Sequence, residues 1–179
     1  KDTETDLGAR RVTASDVEEG LRELTIGLAM KVLLANQLSG LWQKVGAIGY
    51  ESISTPFAWL GLIAFTFQIY FDFYGYSLMA VGLGRLLGFH LPENFHYPYM
   101  ACSMTEFWRR WHMTLGSWFR DYVYIPLGGS RCSRWKLLRN LLVVWLLTGI
   151  WHGAGWNFLL WGGCLFVMIA AEKFLYLKI

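Results

Sequence analysis

The chain has 179 residues, of which 55% are hydrophobic and only 16% charged, with a formal net charge of +3. An ordinary soluble domain is about 25% charged. Twelve Phe, ten Trp and nine Tyr are more than one water-facing core of this size accommodates, and Trp is the ring enriched where membrane meets water. The balance excludes disorder, a solenoid of polar repeats and a secreted disulfide scaffold. The scattered Cys102, Cys132 and Cys164 contain no C-x-x-C pair, so neither a disulfide framework nor a thiolate metal site is expected.

Residues 1–14 form a polar flank. Ser15 to Glu18 then has the S-x-x-E spacing of a capping box, which predicts a helix start there. The apolar run from Leu21 to Trp42 follows, interrupted by Arg22, Glu23 and Lys31, and reads either as a membrane crossing or as a helix lying on the surface. Ser52 to Phe71 carries no charge, and its apolar character continues past Asp72 to Gly84. Roughly 20 apolar helical residues cross a bilayer core about 30 Å thick, so this stretch is long enough to span.

The interval from Arg85 to Arg139 holds eight Arg or Lys against three acids. By the positive-inside tendency it faces the cytoplasm and brings the nearer ends of its flanking spans there. These charges alternate with Trp and Phe, which disfavours a nucleic-acid patch. Within the interval, Ser103 to Glu106 is a second capping box and predicts a helix from near Met104. Trp108, Trp111, Leu115, Trp118 and Tyr122 recur at spacings of three and four, with Arg109 and Arg110 off that face, the pattern of one interfacial amphipathic helix. Pro126 and Gly128-Gly129 end it in a turn before the basic cluster Arg131, Arg134, Lys136 and Arg139.

Asn140 to Ala171 is an uninterrupted run of 32 uncharged residues. As one helix it would extend about 48 Å, too long for a simple crossing, so a break is expected at His152-Gly153-Ala154-Gly155. Because the chain starts at Lys1 and stops in the apolar stretch Lys173–Ile179, it reads as an excerpt of a longer protein.

His152 lies thirteen residues beyond Arg139, roughly 18 to 20 Å along a helix and near mid-depth. A titratable ring there is costly and usually faces the protein interior or a water-filled cavity, marking a pathway or a reacting centre. Gly149, Gly153 and Gly155 allow close approach of a ligand or another backbone, and Trp151 and Trp156 would wall a narrow passage. The competing reading is a neutral core histidine bonded to a backbone carbonyl, with Gly149-x-x-x-Gly153 as helix packing. His112, on the amphipathic helix, fits either interfacial hydrogen bonding or a functional role. His90 and His96 fall in a Pro- and aromatic-containing loop and read as structural. Asp72 is a candidate for a polar pathway or for a helix-to-helix bond. Nucleotide P-loop, H-E-x-x-H, G-x-S-x-G and H-x-x-x-x-D patterns are absent.

Phe71-Asp72-Phe73-Tyr74-Gly75-Tyr76-Ser77, Pro92-Glu93-Asn94-Phe95, Glu106-Phe107-Trp108-Arg109-Arg110-Trp111-His112, Tyr124-Ile125-Pro126-Leu127-Gly128-Gly129 and Trp151-His152-Gly153-Ala154 occur in that order. With them the chain resembles the membrane-bound O-acyltransferase family, in particular its bacterial alginate O-acetyltransferase-like branch, over about residues 15 to 170. Leu78 departs from that branch, where an Asp commonly follows Tyr-Ser. The resemblance implies an all-α fold of multi-pass transmembrane helices with interfacial amphipathic and re-entrant helices, residues 15–179 being the central part of one membrane domain. It implies an enzyme of the bacterial inner membrane that moves an acyl group, commonly acetyl, from a cytoplasmic thioester towards hydroxyls of an exported polysaccharide. His152 would be catalytic and His112 a second functional residue.

Residue chemistry fits that implication. A general base must take the hydroxyl proton, and an imidazole titrates near neutral pH. Trp151 and Asn157 could supply donors to the developing oxyanion, while Arg109, Arg110 and the basic flank could attract an anionic thioester such as acetyl-CoA or an acyl carrier. No bound cofactor or metal is expected. The expected partners are membrane lipid, the polysaccharide acceptor and an extracytoplasmic acyl-transfer protein, with no nucleic acid. The alternatives are a transporter or channel fragment with Asp72 and His152 lining a polar route, and a purely structural membrane scaffold in which both histidines tolerate Ala.

Overall fold

A computed structural model describes residues 11–49 and 51–176. Of the described residues 78% are helical, and among them there is no strand, only an isolated bridge between Phe95 and Trp111. Among the described residues three helical stretches, Ala14–Ile48, Thr55–Leu86 and Trp156–Leu175, are long and apolar enough to cross a membrane. The chain divides into two compact units, one ending at Glu93 and one beginning at Asn94.

In the first unit, α1 (Ala14–Ala29) runs through a π-helical stretch, Met30–Ala35, into α2 (Asn36–Ile48). Its start lies two residues before the one expected from Ser15. Thr13 is the N-cap: its Oγ1 accepts from the Asp16 N–H at 3.2 Å, and Asp16 Oδ2 accepts from the Thr13 N–H at 2.9 Å. Two S/T-x-x-D/E frames overlap here, and the earlier one satisfies the orphan amides of the first turn.

Antiparallel to this rod runs α3 (Thr55–Leu86), started by Pro56 in its first turn. The two helices meet where each presents glycine. A Cβ at Gly20 would lie 2.8 Å from the Gly82 carbonyl oxygen, and one at Gly75 would lie 2.7 Å from that of Gly27. In lipid, where apolar surface gains little by leaving the solvent, such close backbone approach is the main source of helix association. Lys31, inside the π-helical stretch, pairs with Asp72, and Arg85 pairs with Glu19 and Glu23 near the end of α3.

The second unit opens on an extended segment, Asn94–His96, and a short 3-10 turn, Pro98–Met100. Then come α4 (Met104–Arg110) and α5 (Met113–Phe119), continued by a π-helical turn, Arg120–Tyr124. Ser103 caps α4, its Oγ accepting from the Glu106 N–H at 3.0 Å. Glu106 reaches back one residue further than a capping box requires, accepting from the Cys102 N–H at 2.9 Å. The Cys102 amide, and then Arg110, hold the Glu106 carboxyl below the usual carboxylate range.

The single amphipathic helix expected from Trp108 to Tyr122 is broken. Trp111 is extended and His112 left-handed (φ 47°, ψ 54°), so α4 stops and α5 restarts in a new direction. The aromatic stripe splits accordingly: Trp108 packs on Trp145 and Trp161, Trp111 stacks on Phe107, and Trp118 and Tyr122 are exposed.

A turn with positive φ at Gly128 and Gly129 leads to α6 (Arg134–His152). The fully buried Asn140 ties this turn to the helix, donating through Nδ2 to the carbonyls of Leu127 (3.1 Å) and Gly129 (3.2 Å). The uncharged run breaks where expected: α6 ends at His152 and α7 (Trp156–Ala171) begins after Gly155, continuing through a π-helical turn, Glu172–Tyr176. The two helices return on each other around Leu141, Trp145, Leu165 and Ile169.

Candidate active site

The α6–α7 turn builds the surroundings of His152. Gly149 lets the α7 backbone touch α6, since a Cβ there would meet the Phe158 carbonyl oxygen at 2.6 Å. Gly153 adopts φ 156°, and a Cβ on it would strike the Phe158 ring at 2.5 Å. The G-x-x-x-G spacing is therefore a packing device, as one of the two sequence readings held. It also serves the other reading, because it brings Phe158 and Trp161 against the imidazole.

His152 Nδ1 donates to the Thr148 carbonyl oxygen at 2.8 Å. A carbonyl only accepts, so this bond places the ring proton on Nδ1 and leaves Nε2 of the neutral ring with its lone pair. The Thr148 hydroxyl is itself satisfied, donating to the Val144 carbonyl at 2.8 Å. Three rings fix the imidazole plane: Trp151 (centroids 4.8 Å apart, edge-on), Trp161 (4.7 Å, edge-on) and Phe158 (6.5 Å, stacked). His152 nonetheless remains exposed in this chain. It thus combines the carbonyl-bonded tautomer of the structural reading with the accessible ring of the functional one.

His112 lies next to it. Its ring centroid is 5.7 Å from that of Trp151, which therefore contacts both imidazoles. Burial, and secondarily the charge His152 would carry, push the His112 pKa below the ordinary imidazole value of 6.5. His112 thus favours the neutral ring. Left-handed backbone at a non-glycine residue costs roughly 1–3 kcal/mol and persists only where its surroundings enforce it. Here they do so from both sides: Phe95 bridges Trp111, the His96 N–H donates to the Arg110 carbonyl at 2.9 Å, and Asn94 holds the first turn of α5.

The other expected site residues divide. Asn157 is exposed in the first turn of α7. Trp156, expected as a wall, is 82% exposed; the walls around His152 are Trp151, Phe158 and Trp161 instead. Phe158 and Trp161 are signalled only by their three-residue spacing along α7 once the turn is known. Arg110 pairs with Glu106 on its own helix, and Arg109 is exposed. Asp72 belongs to the first unit, where with Lys31, Gln68 and Tyr76 it lines an open groove of about 400 Å³. Asn94, in the Pro92–Phe95 motif, carries no local signal of its role, because its side-chain partner Thr114 lies twenty positions away in sequence. Among the described residues no group of three His, Cys, Asp or Glu side chains could hold a metal ion.

The arrangement can do proton-transfer chemistry: two imidazoles joined by an indole, one with an oriented basic nitrogen. The sequence pattern of the membrane-bound O-acyltransferase family matches residues 19–178. The chain is 44% identical over 164 residues to the probable alginate O-acetylase AlgI of Azotobacter vinelandii, covering 92% of this chain and 32% of that protein. It is 44% identical over 143 residues to the peptidoglycan O-acetyltransferase of Helicobacter pylori, covering 80% and 27%. It is 29% identical over 152 residues to the teichoic acid D-alanyltransferase of Bacillus subtilis, covering 80% and 38%. The chain thus spans about a third of the length of the curated relatives it matches. With an all-helical framework, three helices able to cross a bilayer and a family match over most of its length, the chain belongs to the membrane-bound O-acyltransferase family.

Proposed function

We propose that this chain carries the acyl-transfer centre of a multi-pass enzyme of the bacterial inner membrane, which acylates hydroxyls of a cell-envelope polysaccharide. The observation that carries the reading is the Nδ1 bond from His152 to Thr148, which leaves Nε2 as an oriented acceptor on an exposed residue. Relatives named as alginate and peptidoglycan O-acetyltransferases and as teichoic acid D-alanyltransferases support a glycan or cell-wall polymer as acceptor, and the two more similar kinds, at 44% identity, support acetyl as the acyl group.

In this reading the donor is a thioester, acetyl-CoA or an acyl carrier. His152 Nε2 takes the proton of the acceptor hydroxyl as its oxygen bonds to the thioester carbonyl carbon. The tetrahedral oxyanion collapses, the carbon–sulfur bond breaks, and the imidazolium returns its proton to the departing sulfur. The Trp151 indole and the Asn157 amide, one on each side of the turn, supply donors for the oxyanion. His112 assists beside Trp151, and the cationic Arg109 and Arg131–Arg139 stretch draws the anionic donor. An extracytoplasmic protein completes delivery to the polymer. The alternative of a polar transport route finds Asp72 already paired with Lys31, and no observation favours it further.

The test uses the full-length protein in cells. His152→Ala is expected to abolish polymer acylation, read by mass spectrometry of the envelope polysaccharide, at unchanged protein level. Normal acylation at normal protein level would end the proposal.

A further inference from the structure

His112 occupies the N-cap position of α5, yet its side chain makes no capping bond; its ring is turned to Trp151 instead. A helix leaves its first N–H groups without internal partners, and the N-cap side chain ordinarily accepts from one of them. At α5 a different residue does so. The Asn94 carbonyl accepts from the Met113 N–H at 2.9 Å. Asn94 Oδ1 accepts from both the Thr114 N–H (3.2 Å) and the Thr114 hydroxyl (2.9 Å). The same segment grips the other side of the break, through the Phe95–Trp111 bridge and the bond from His96 to Arg110.

From this geometry we infer that Asn94 is a positioning residue of the acyl-transfer centre: by capping α5 from a separate segment, it releases His112 from the capping role and holds its imidazole against Trp151. The functional half of the inference rests on the acyl-transfer reading above. The structural half rests on the bonds alone. When the Oδ1 acceptor is lost, the Thr114 N–H has no partner, and the residue placed to accept from it is His112, through a ring nitrogen. The ring then leaves Trp151 for the helix backbone.

The test is made on the full-length protein in detergent, with two readouts. The first is the rate at which diethyl pyrocarbonate modifies His112, followed by peptide mass spectrometry with His152 as internal reference. The second is steady-state acyl transfer. Asn94→Ala is expected to change His112 modification by about threefold or more at constant His152 modification, and to lower kcat about tenfold with donor KM within about twofold. Asn94→Asp keeps an acceptor oxygen and is expected to restore both readouts.

If Asn94→Ala does not accumulate, Thr114→Val carries the test. It removes one of the two donors that fix Asn94 Oδ1 over the helix end, so the remaining bond to the Thr114 N–H loosens, and it is expected to shift both readouts by less, in the same direction. Unchanged His112 modification in the Ala variant, or in Thr114→Val where that variant stands in, overturns the inference, as does failure of Asn94→Asp to restore it. Altered modification with unchanged kcat overturns its functional half. Failure of the acyl-transfer reading is recognised separately, by full activity of His152→Ala, and leaves the modification result to decide what Asn94 does to the ring.

Discussion

His152 donates through Nδ1 to the carbonyl oxygen of Thr148, one helical turn earlier, at 2.8 Å. The bond uses a carbonyl near the C-terminal end of α6, and a backbone carbonyl oxygen has two lone pairs, so it can accept from the ring as well as from the helix. It costs the helix nothing and fixes the side chain twice, in rotation and in tautomer. The ring needs no carboxylate partner to present Nε2.

The first consequence concerns His152→Gln. The Gln amide can replace the donation to Thr148 and keep the turn folded, but it offers no nitrogen lone pair to a hydroxyl proton. Acyl transfer is expected to fall by about 10²–10⁴-fold, the usual contribution of a general base, with the thermal midpoint nearly unchanged. Turnover measured on membranes containing full-length protein checks this, and activity within tenfold of wild type would remove the base role.

Glycine contacts give a second expectation, independent of chemistry. Gly149→Ala puts a methyl group against the Phe158 carbonyl, with rigid backbone on both sides. Overpacking of this kind costs about 1–3 kcal/mol, and here it also pushes Phe158 away from His152. Gly163, about two turns into α7, has nothing within 4 Å of a Cβ. Gly163→Ala is expected to stay within about 0.5 kcal/mol of wild type. Thermal unfolding of the two variants in detergent separates them, and equal effects would contradict the described packing of α6 on α7.

The contrast between these glycines shows what a single sequence can and cannot disclose. The long apolar runs, the Ser103 cap and the break at His152–Gly155 are local patterns, and each is found where composition and spacing put it. The break at His112 is not local. Spacing of three and four favours one continuous helix through Trp111, and it loses because Asn94 and Phe95 satisfy the backbone of residues 111–114 in a different conformation. Trp156 against Trp161 is the same lesson: both are Trp near a histidine, and only the geometry of the turn decides which one touches it. The notched faces at Gly20 and Gly82 were likewise invisible, since a glycine's partner lies on another helix.

Lys31 and Asp72 supply a third expectation. The pair joins the π-helical stretch to α3 within segments apolar enough to cross a membrane. Removing one partner leaves the other charge uncompensated, which is worse than removing both. Asp72→Asn and Lys31→Met are each expected to destabilise the protein, and the double variant to recover part of the loss, with a coupling of about 0.5–3 kcal/mol. A double-mutant cycle on thermal stability in detergent measures it. Strict additivity would show that the two charges do not depend on one another.

Proton linkage at His112 gives the fourth. Burial first, and His152 second, lower its pKa in the folded protein below 6.5, the value that the unfolded chain keeps. Between the folded pKa and 6.5 the unfolded state binds more protons, so stability rises with pH across that window. Acidification from pH 8 should therefore have little effect through His112 until about pH 6.5. It should then lower the thermal midpoint, until the folded pKa is passed. His112→Gln cannot titrate, and His90, His96 and His152 are present in both proteins. The variant is expected to lose less stability than wild type over the same acid range, even where its midpoint at pH 8 is lower. Parallel curves for the two proteins, measured by thermal unfolding in detergent from pH 8 to pH 5, would mean that His112 is as free to take a proton in the fold as in the unfolded chain.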